Sequence, residues 1–102
     1  MSNWHSVGTL NELKSQKSKY VELSGKELAV FHINGNLFAT DNFCPHRGGP
    51  LSKGNIEQGP SVRCPLHGWA FDLASGNCLN MPQAKVGTFP VEVRGEEVFV
   101  SL

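Results

Sequence analysis

The sequence lacks the features of a disulfide-rich, membrane-spanning or nucleic-acid-binding protein. Its 102 residues include three cysteines, an odd number that cannot form a complete set of disulfides. Nine Lys and Arg balance nine Asp and Glu, so the basic surplus of a typical nucleic-acid-binding protein is missing. No apolar run approaches the roughly 18 residues of a membrane helix, and residues 1–10 contain no apolar core of a signal peptide. We therefore expect a single cytoplasmic domain that contacts neither membranes nor nucleic acid.

Short stretches of β-forming residues lie near both ends of the chain and predict an all-β fold. They are residues 4–7, 20–23, 27–33 and 36–40 in the first half, and 89–93 and 97–100 in the second half. Asn34-Gly35 separates two of them and is the dipeptide best suited to a two-residue hairpin turn. Residues 94–96 suggest a second hairpin turn. The pattern predicts a small antiparallel β-sandwich or barrel.

Two parts of the chain differ from this pattern. Residues 9–19 suggest a short helical turn with Thr9 as its N-cap, followed by a loop. Residues 43–82 are rich in glycine and proline, which predicts a loop-rich insert in the β body. Ordering such loops costs conformational entropy, and a bound metal would offset that cost.

Four side chains within the insert form two similar pairs of candidate metal ligands. Cys44 and His46 lie in the sequence CPHRGGPL, and Cys64 and His67 lie in the sequence CPLHGWAF. Thiolates favour zinc, Cu(I) and iron–sulfur clusters, whereas imidazole suits zinc, copper and iron. Two kinds of site are therefore open: a closed tetrahedral zinc site, or a two-iron cluster in which histidines replace two of the cysteines.

The spacing of the first pair favours the two-iron cluster. Zinc ligands in a pair are usually two to four residues apart, and a single residue separates Cys44 from His46. In a cluster, each pair would give one ligand to each iron, with the cysteines on one iron and the histidines on the other. A cluster with two neutral imidazole ligands is less negative than one with four thiolates, so the cluster with histidines accepts an electron more readily.

The two motifs resemble the signature of the Rieske family of [2Fe–2S] proteins across residues 43–76. The resemblance implies one domain over residues 1–102, with a cluster-binding subdomain at about residues 43–82. It implies that Cys44, His46, Cys64 and His67 hold one [2Fe–2S] cluster. The loop at Met81-Pro82 would then cover the cluster.

Differences within the family indicate a subtype. Rieske proteins of membrane cytochrome complexes have an additional cysteine pair that links the two ligand loops, and those positions here are Gly49 and Leu66. They also have a serine where this chain has Trp69, so a hydroxyl donor to the cluster is missing. The chain is therefore similar to the low-potential, ferredoxin-type Rieske proteins.

The resemblance implies a one-electron carrier with no catalytic residues of its own. Its partners would be an NAD(P)H-dependent flavin reductase and a terminal oxygenase, and the free carrier would be a monomer. The small subunit of assimilatory NAD(P)H nitrite reductase is an alternative, in which the partner is that enzyme's large subunit. An autonomous oxygenase would need a second iron site, for which only His5 and His32 remain. A colourless zinc-bound interaction module is the further alternative.

Overall fold

A computed structural model describes residues 4–44, 48–57, 60–66, 68–81 and 83–102. Within these ranges the chain forms ten β-strands, one α-helix and one 3₁₀ helix. The strands are β1 Trp4–Thr9, β2 Ser18–Leu23, β3 Lys26–Ile33, β4 Asn36–Asp41, β5 Asn55–Glu57, β6 Ser61–Arg63, β7 Ala70–Asp72, β8 Thr88–Phe89, β9 Val91–Arg94 and β10 Glu97–Ser101. The helix α1 spans Leu10–Gln16, and the 3₁₀ helix spans Leu51–Lys53. None of the helices in the described ranges has the length and apolar character needed to cross a bilayer.

The strands form three antiparallel sheets, which confirms the all-β prediction. Two of them build the body, in the orders β1-β10-β9 and β2-β3-β4-β8. The third has the order β5-β6-β7 and lies within the segment that the sequence predicted to be loop-rich. Its strands have three residues each, too short for an alternating hydrophobic pattern to stand out in the sequence.

The first hairpin confirms the predicted turn at Asn34-Gly35. Both residues have positive φ, 51° and 83°, and Ile33 pairs directly with Asn36 across them. Asparagine and glycine tolerate this left-handed backbone, which matches the twist of the flanking strands.

The predicted helical segment is partly confirmed. The Thr9 hydroxyl accepts a hydrogen bond from the Glu12 amide at 3.1 Å, so Thr9 is the N-cap. The predicted loop after the helix is wrong, because β2 begins at Ser18, directly after Lys17. Lys17 has a φ of 68° and turns the chain from helix to strand within one residue.

Strand β3 separates two hydrophobic cores, because side chains alternate between the faces of a strand. Leu28 and Val30 point into a core that the two body sheets share with Leu13 of α1. Ala29, Phe31 and Ile33 point into a second core. The second core contains seven residues of the insert and one that follows it, Val86; the seven are Cys44, Leu51, Val62, Cys64, Phe71, Leu73 and Cys78. The insert is therefore fastened to the body through one face of β3.

Candidate metal centre

One candidate ligand loop closes the hairpin of β6 and β7. Arg63 pairs with Ala70 at the ends of these strands, and residues 64–69 form the connection, called loop 2 below. The amide of Cys64 donates to the carbonyl of Trp69 at 2.7 Å, and the amide of Gly68 donates to the carbonyl of Cys64 at 3.0 Å. Gly68 has a φ of +74°, a conformation that favours glycine. Cys64 is thus fixed at both of its backbone polar groups.

Residues 44–49, called loop 1 below, have the same hydrogen-bond pattern. The amide of Cys44 donates to the carbonyl of Gly49 at 2.9 Å, and the amide of Gly48 donates to the carbonyl of Cys44 at 2.8 Å. Gly48 has a φ of +72°. An antiparallel bridge between Phe43 and Pro50 closes this loop at its base. The two cysteines therefore occupy equivalent positions in two equivalent loops.

The two loops pack against each other. A Cβ atom built on Gly49 would lie 2.6 Å from the Sγ atom of Cys64 and 3.1 Å from the Cγ atom of Leu66. Gly49 and Leu66 are the positions at which the cytochrome-complex subtype has its additional cysteines. A close packing contact between a glycine and a leucine occupies that place in this chain.

Both cysteines suit an iron–sulfur cluster. Cys44 and Cys64 are each 2% exposed and belong to the core beneath the loops, and no disulfide joins cysteines within the described ranges. Two buried thiols at equivalent positions of two touching loops can ligate one metal centre between them. The other two predicted ligands, His46 and His67, lie outside the described residues.

A third segment lies beside loop 2. The amide of Leu79 donates to the carbonyl of Ala70 at 2.7 Å, and the amide of Ala70 donates to the side-chain oxygen of Asn80 at 2.7 Å. Met81 follows and is 40% exposed. Pro82, which the resemblance places over the cluster, lies outside the described residues. Asn80 thus ties this segment to the strand that begins directly after loop 2.

Cys78 has a different environment from the two candidate ligands. It is 5% exposed, and its amide donates to the carbonyl of Ala84 at 3.1 Å. An antiparallel bridge pairs it with Phe71 of β7. The residue packs in the core, as expected for a small buried hydrophobic side chain.

The sequence analysis missed polar residues that hold the loops in place. The side chain of Asn42, 2% exposed, accepts a hydrogen bond from the amide of Ser52 at 3.0 Å and so joins the segments on either side of loop 1. The guanidinium of Arg63 donates to the carbonyl of Gly68 at 2.5 Å and forms an ion pair with Glu57. Asn42 and Arg63 lie near candidate ligand cysteines in the sequence, but their contacts depend on side-chain direction, which the sequence does not give.

Comparison with known proteins identifies the family. The family model of the Rieske [2Fe-2S] domain matches residues 3–90, so the chain belongs to the Rieske family and the predicted cofactor is confirmed. A naphthalene 1,2-dioxygenase ferredoxin component from Pseudomonas aeruginosa is 35% identical over 100 residues, which covers 97% of this chain and 95% of that protein.

Solved structures show the same fold. The ferredoxin of carbazole 1,9a-dioxygenase from Nocardioides aromaticivorans IC177 has a TM-score of 0.88 at 29% identity and covers 97% of each chain. A Mycobacterium tuberculosis protein described as an NADH-dependent nitrite reductase small subunit has a TM-score of 0.93 at 26% identity. That alignment covers 100% of this chain and 96% of the other. Both predicted branches of the family are thus represented among its structural relatives.

Proposed function

We propose that the protein is a cytoplasmic one-electron carrier whose [2Fe–2S] cluster is held by Cys44, His46, Cys64 and His67. The two cysteines would hold the inner iron, and the two histidines would hold the outer iron. The bound cluster takes up and releases one electron at a time. The remaining parts of the chain position the ligands and shield the inner iron from water.

The equivalence of loops 1 and 2 is the observation that carries this proposal. Each loop fixes its cysteine by the same two backbone hydrogen bonds and has a glycine of positive φ four residues later. A metal centre shared by the two loops explains why both are built alike. Residues 43–82 then form the cluster-binding subdomain of a single domain.

An apolar rim supports docking of a partner protein at these loops. Most of the large hydrophobic side chains that are exposed within the described ranges flank the ligand loops. We call this set the apolar rim: Phe43, Leu66, Leu79 and Met81, which are 39%, 57%, 63% and 40% exposed. Apolar side chains clustered at a functional site are typical of surfaces that bind other proteins.

The partners are an NAD(P)H-dependent, flavin-containing reductase as electron donor and a terminal oxygenase as acceptor. The similarity to dioxygenase ferredoxin components over 97% of the chain supports this pair. A carbazole dioxygenase ferredoxin solved in complex with its oxygenase has a TM-score of 0.87 at 30% identity. The free carrier is a monomer that binds each partner in turn.

Electron paramagnetic resonance tests the proposal directly. The dithionite-reduced protein should give the low average g value of a cluster with mixed histidine and cysteine ligands. One equivalent of reductant should bleach the visible absorption. The reduced protein should then pass its electron to a purified ring-hydroxylating oxygenase. A colourless protein that contains zinc would overturn the proposal.

The small subunit of a nitrite reductase is the second candidate. The TM-score of 0.93 to the Mycobacterium tuberculosis protein favours it, and so does the formal net charge of +0, since we expect an oxygenase ferredoxin to be more acidic. Size-exclusion chromatography of an extract from the natural source separates the two candidates. A free carrier elutes alone at its mass of 11.1 kDa, whereas a permanent subunit elutes with a large partner.

A further inference from the structure

Arg63 contacts loop 2 at both of its ends. It is the last residue of β6 and directly precedes Cys64. Its Nη1 atom donates to the carbonyl of Gly68 at 2.5 Å. The amide of that same Gly68 donates to the carbonyl of Cys64 at 3.0 Å. Both backbone polar groups of Gly68 are therefore held, the carbonyl by Arg63 and the amide by Cys64.

Glu57 holds the guanidinium in this position. Its carboxylate accepts from the Nε atom of Arg63 at 3.1 Å and from the Nη2 atom at 3.3 Å. Glu57 ends the neighbouring strand β5 and lies diagonally across from Arg63 on the same face of the sheet, since Arg63 pairs with Asn55. A planar guanidinium can make this fork and still donate to a third acceptor, which a lysine ammonium cannot do with the same geometry.

We propose that Arg63 is a positioning residue for loop 2, at the contact with Gly68, and sets the reduction potential of the cluster together with Glu57. The inference rests on the proposed function, because it assumes that Cys64 and His67 bind the cluster. Arg63 fixes the end of loop 2 and places a permanent positive charge beside it. Glu57 opposes that charge while keeping the guanidinium in place.

The charges of the two residues should act on the potential in opposite directions. Reduction adds a negative charge to the cluster, so a nearby cation favours the reduced form and a nearby anion disfavours it. In Arg63→Gln the cation is lost and Glu57 is left uncompensated, which lowers the potential. In Glu57→Gln the cation is uncompensated, which raises it. Both side chains are 40% exposed, so added salt should reduce both shifts.

The experiment measures the potential and the electron paramagnetic resonance spectrum of both variants and of the double variant. The control is the other exposed Arg–Glu pair among the described residues, Arg94 and Glu92, which are 3.0 Å apart on β9 of the body. We expect a lower potential for R63Q, a higher one for E57Q and an intermediate one for the double variant. R94Q and E92Q should match the unmodified protein. Loss of the bond to Gly68 should also alter the g values of R63Q more than those of E57Q.

A purely structural brace would give a different result. R63Q removes the guanidinium and E57Q loosens it, so both would weaken the hydrogen bond to Gly68 and shift the potential in the same direction. Shifts of the same sign, or none, overturn the inference. If R63Q does not retain its cluster, E57Q decides, and a potential that is not above that of the unmodified protein overturns it. Absence of a cluster from the unmodified protein would instead refute the proposed function.

Discussion

The backbone of Gly49 lies directly against the sulfur of Cys64, since a Cβ atom added to Gly49 would lie 2.6 Å from that Sγ atom. The contact crosses from loop 1 to loop 2, so the sulfur of one loop lies beneath the backbone of the other. Cys64 is consequently only 2% exposed although its loop is at the surface. This burial is what the proposed role of Cys64 as a ligand of the inner iron requires.

The three cysteines should respond differently to the same substitution. We expect Cys44→Ala and Cys64→Ala to abolish the visible absorption of the cluster, because each removes one of the two proposed thiolate ligands. Cys78→Ala is the matched control, since Cys78 is equally buried in the same core. It should retain the cluster and lose on the order of 1 kcal/mol of stability. A colourless C78A protein, or a fully loaded C64A protein, would contradict the ligand assignment.

The apolar rim should determine affinity for the redox partners. Leu79→Asp and Met81→Asp place a charge on the exposed surface of the rim, away from the contact between Gly49 and Leu66 that packs the two ligand loops together. Residues important for binding contribute more than about 1 kcal/mol, which is about fivefold in affinity. We therefore expect at least this loss in the rate of electron transfer to the oxygenase at limiting concentration. Val93→Asp is the control, because Val93 is 41% exposed on β9 of the body, and it should transfer electrons normally.

The two faces of β3 should separate overall stability from retention of the cluster. Phe31 and Leu28 are both 0% exposed, but Phe31 packs beneath the ligand loops and Leu28 packs in the body core. Leu28→Ala should cost about 2–5 kcal/mol and Phe31→Ala about 3–5 kcal/mol. Denaturant unfolding measures both losses. A chelator challenge in native buffer should remove the cluster faster from F31A than from L28A, and equal rates would contradict the two-core description.

Tyr20 offers a pH-dependent probe of the body. Its hydroxyl donates to the carboxylate of Glu27 at 2.8 Å. This hydrogen bond raises the pKa of Tyr20 above 10.0, and desolvation and the charges of Glu27 and Glu22 raise it further. Because the folded pKa lies above the unfolded one, this contribution to stability is present below the unfolded pKa. It is lost as the pH rises through the folded pKa.

Ultraviolet absorption of the phenolate measures this pKa, since Tyr20 is the only tyrosine in the chain. We expect Glu27→Gln to lower the pKa towards its ordinary value, because it removes the negative charge beside the phenol. Glu22→Gln should have a smaller effect, since Glu22 makes the smallest of the contributions. Identical titration curves for E27Q and the unmodified protein would show that the hydrogen bond does not form in solution.

The sequence alone determined the β-rich ends of the chain, the turn at Asn34-Gly35, the Thr9 cap and the family. These features depend on local backbone preferences and on motifs of adjacent residues, which can be read directly from the chain. The ligand roles of Cys44, His46, Cys64 and His67 remain predictions that the experiments above address.

Only the tertiary structure decided how the insert is built and held. Sheet β5-β6-β7, the contact between Gly49 and Cys64, the hydrogen bond that Asn42 accepts and the one that Arg63 donates all join residues whose approach depends on packing. The two-sided role of β3 is of the same kind, because an apolar strand does not reveal in its sequence which core each face will meet. These contacts hold the two loops that carry the predicted metal ligands.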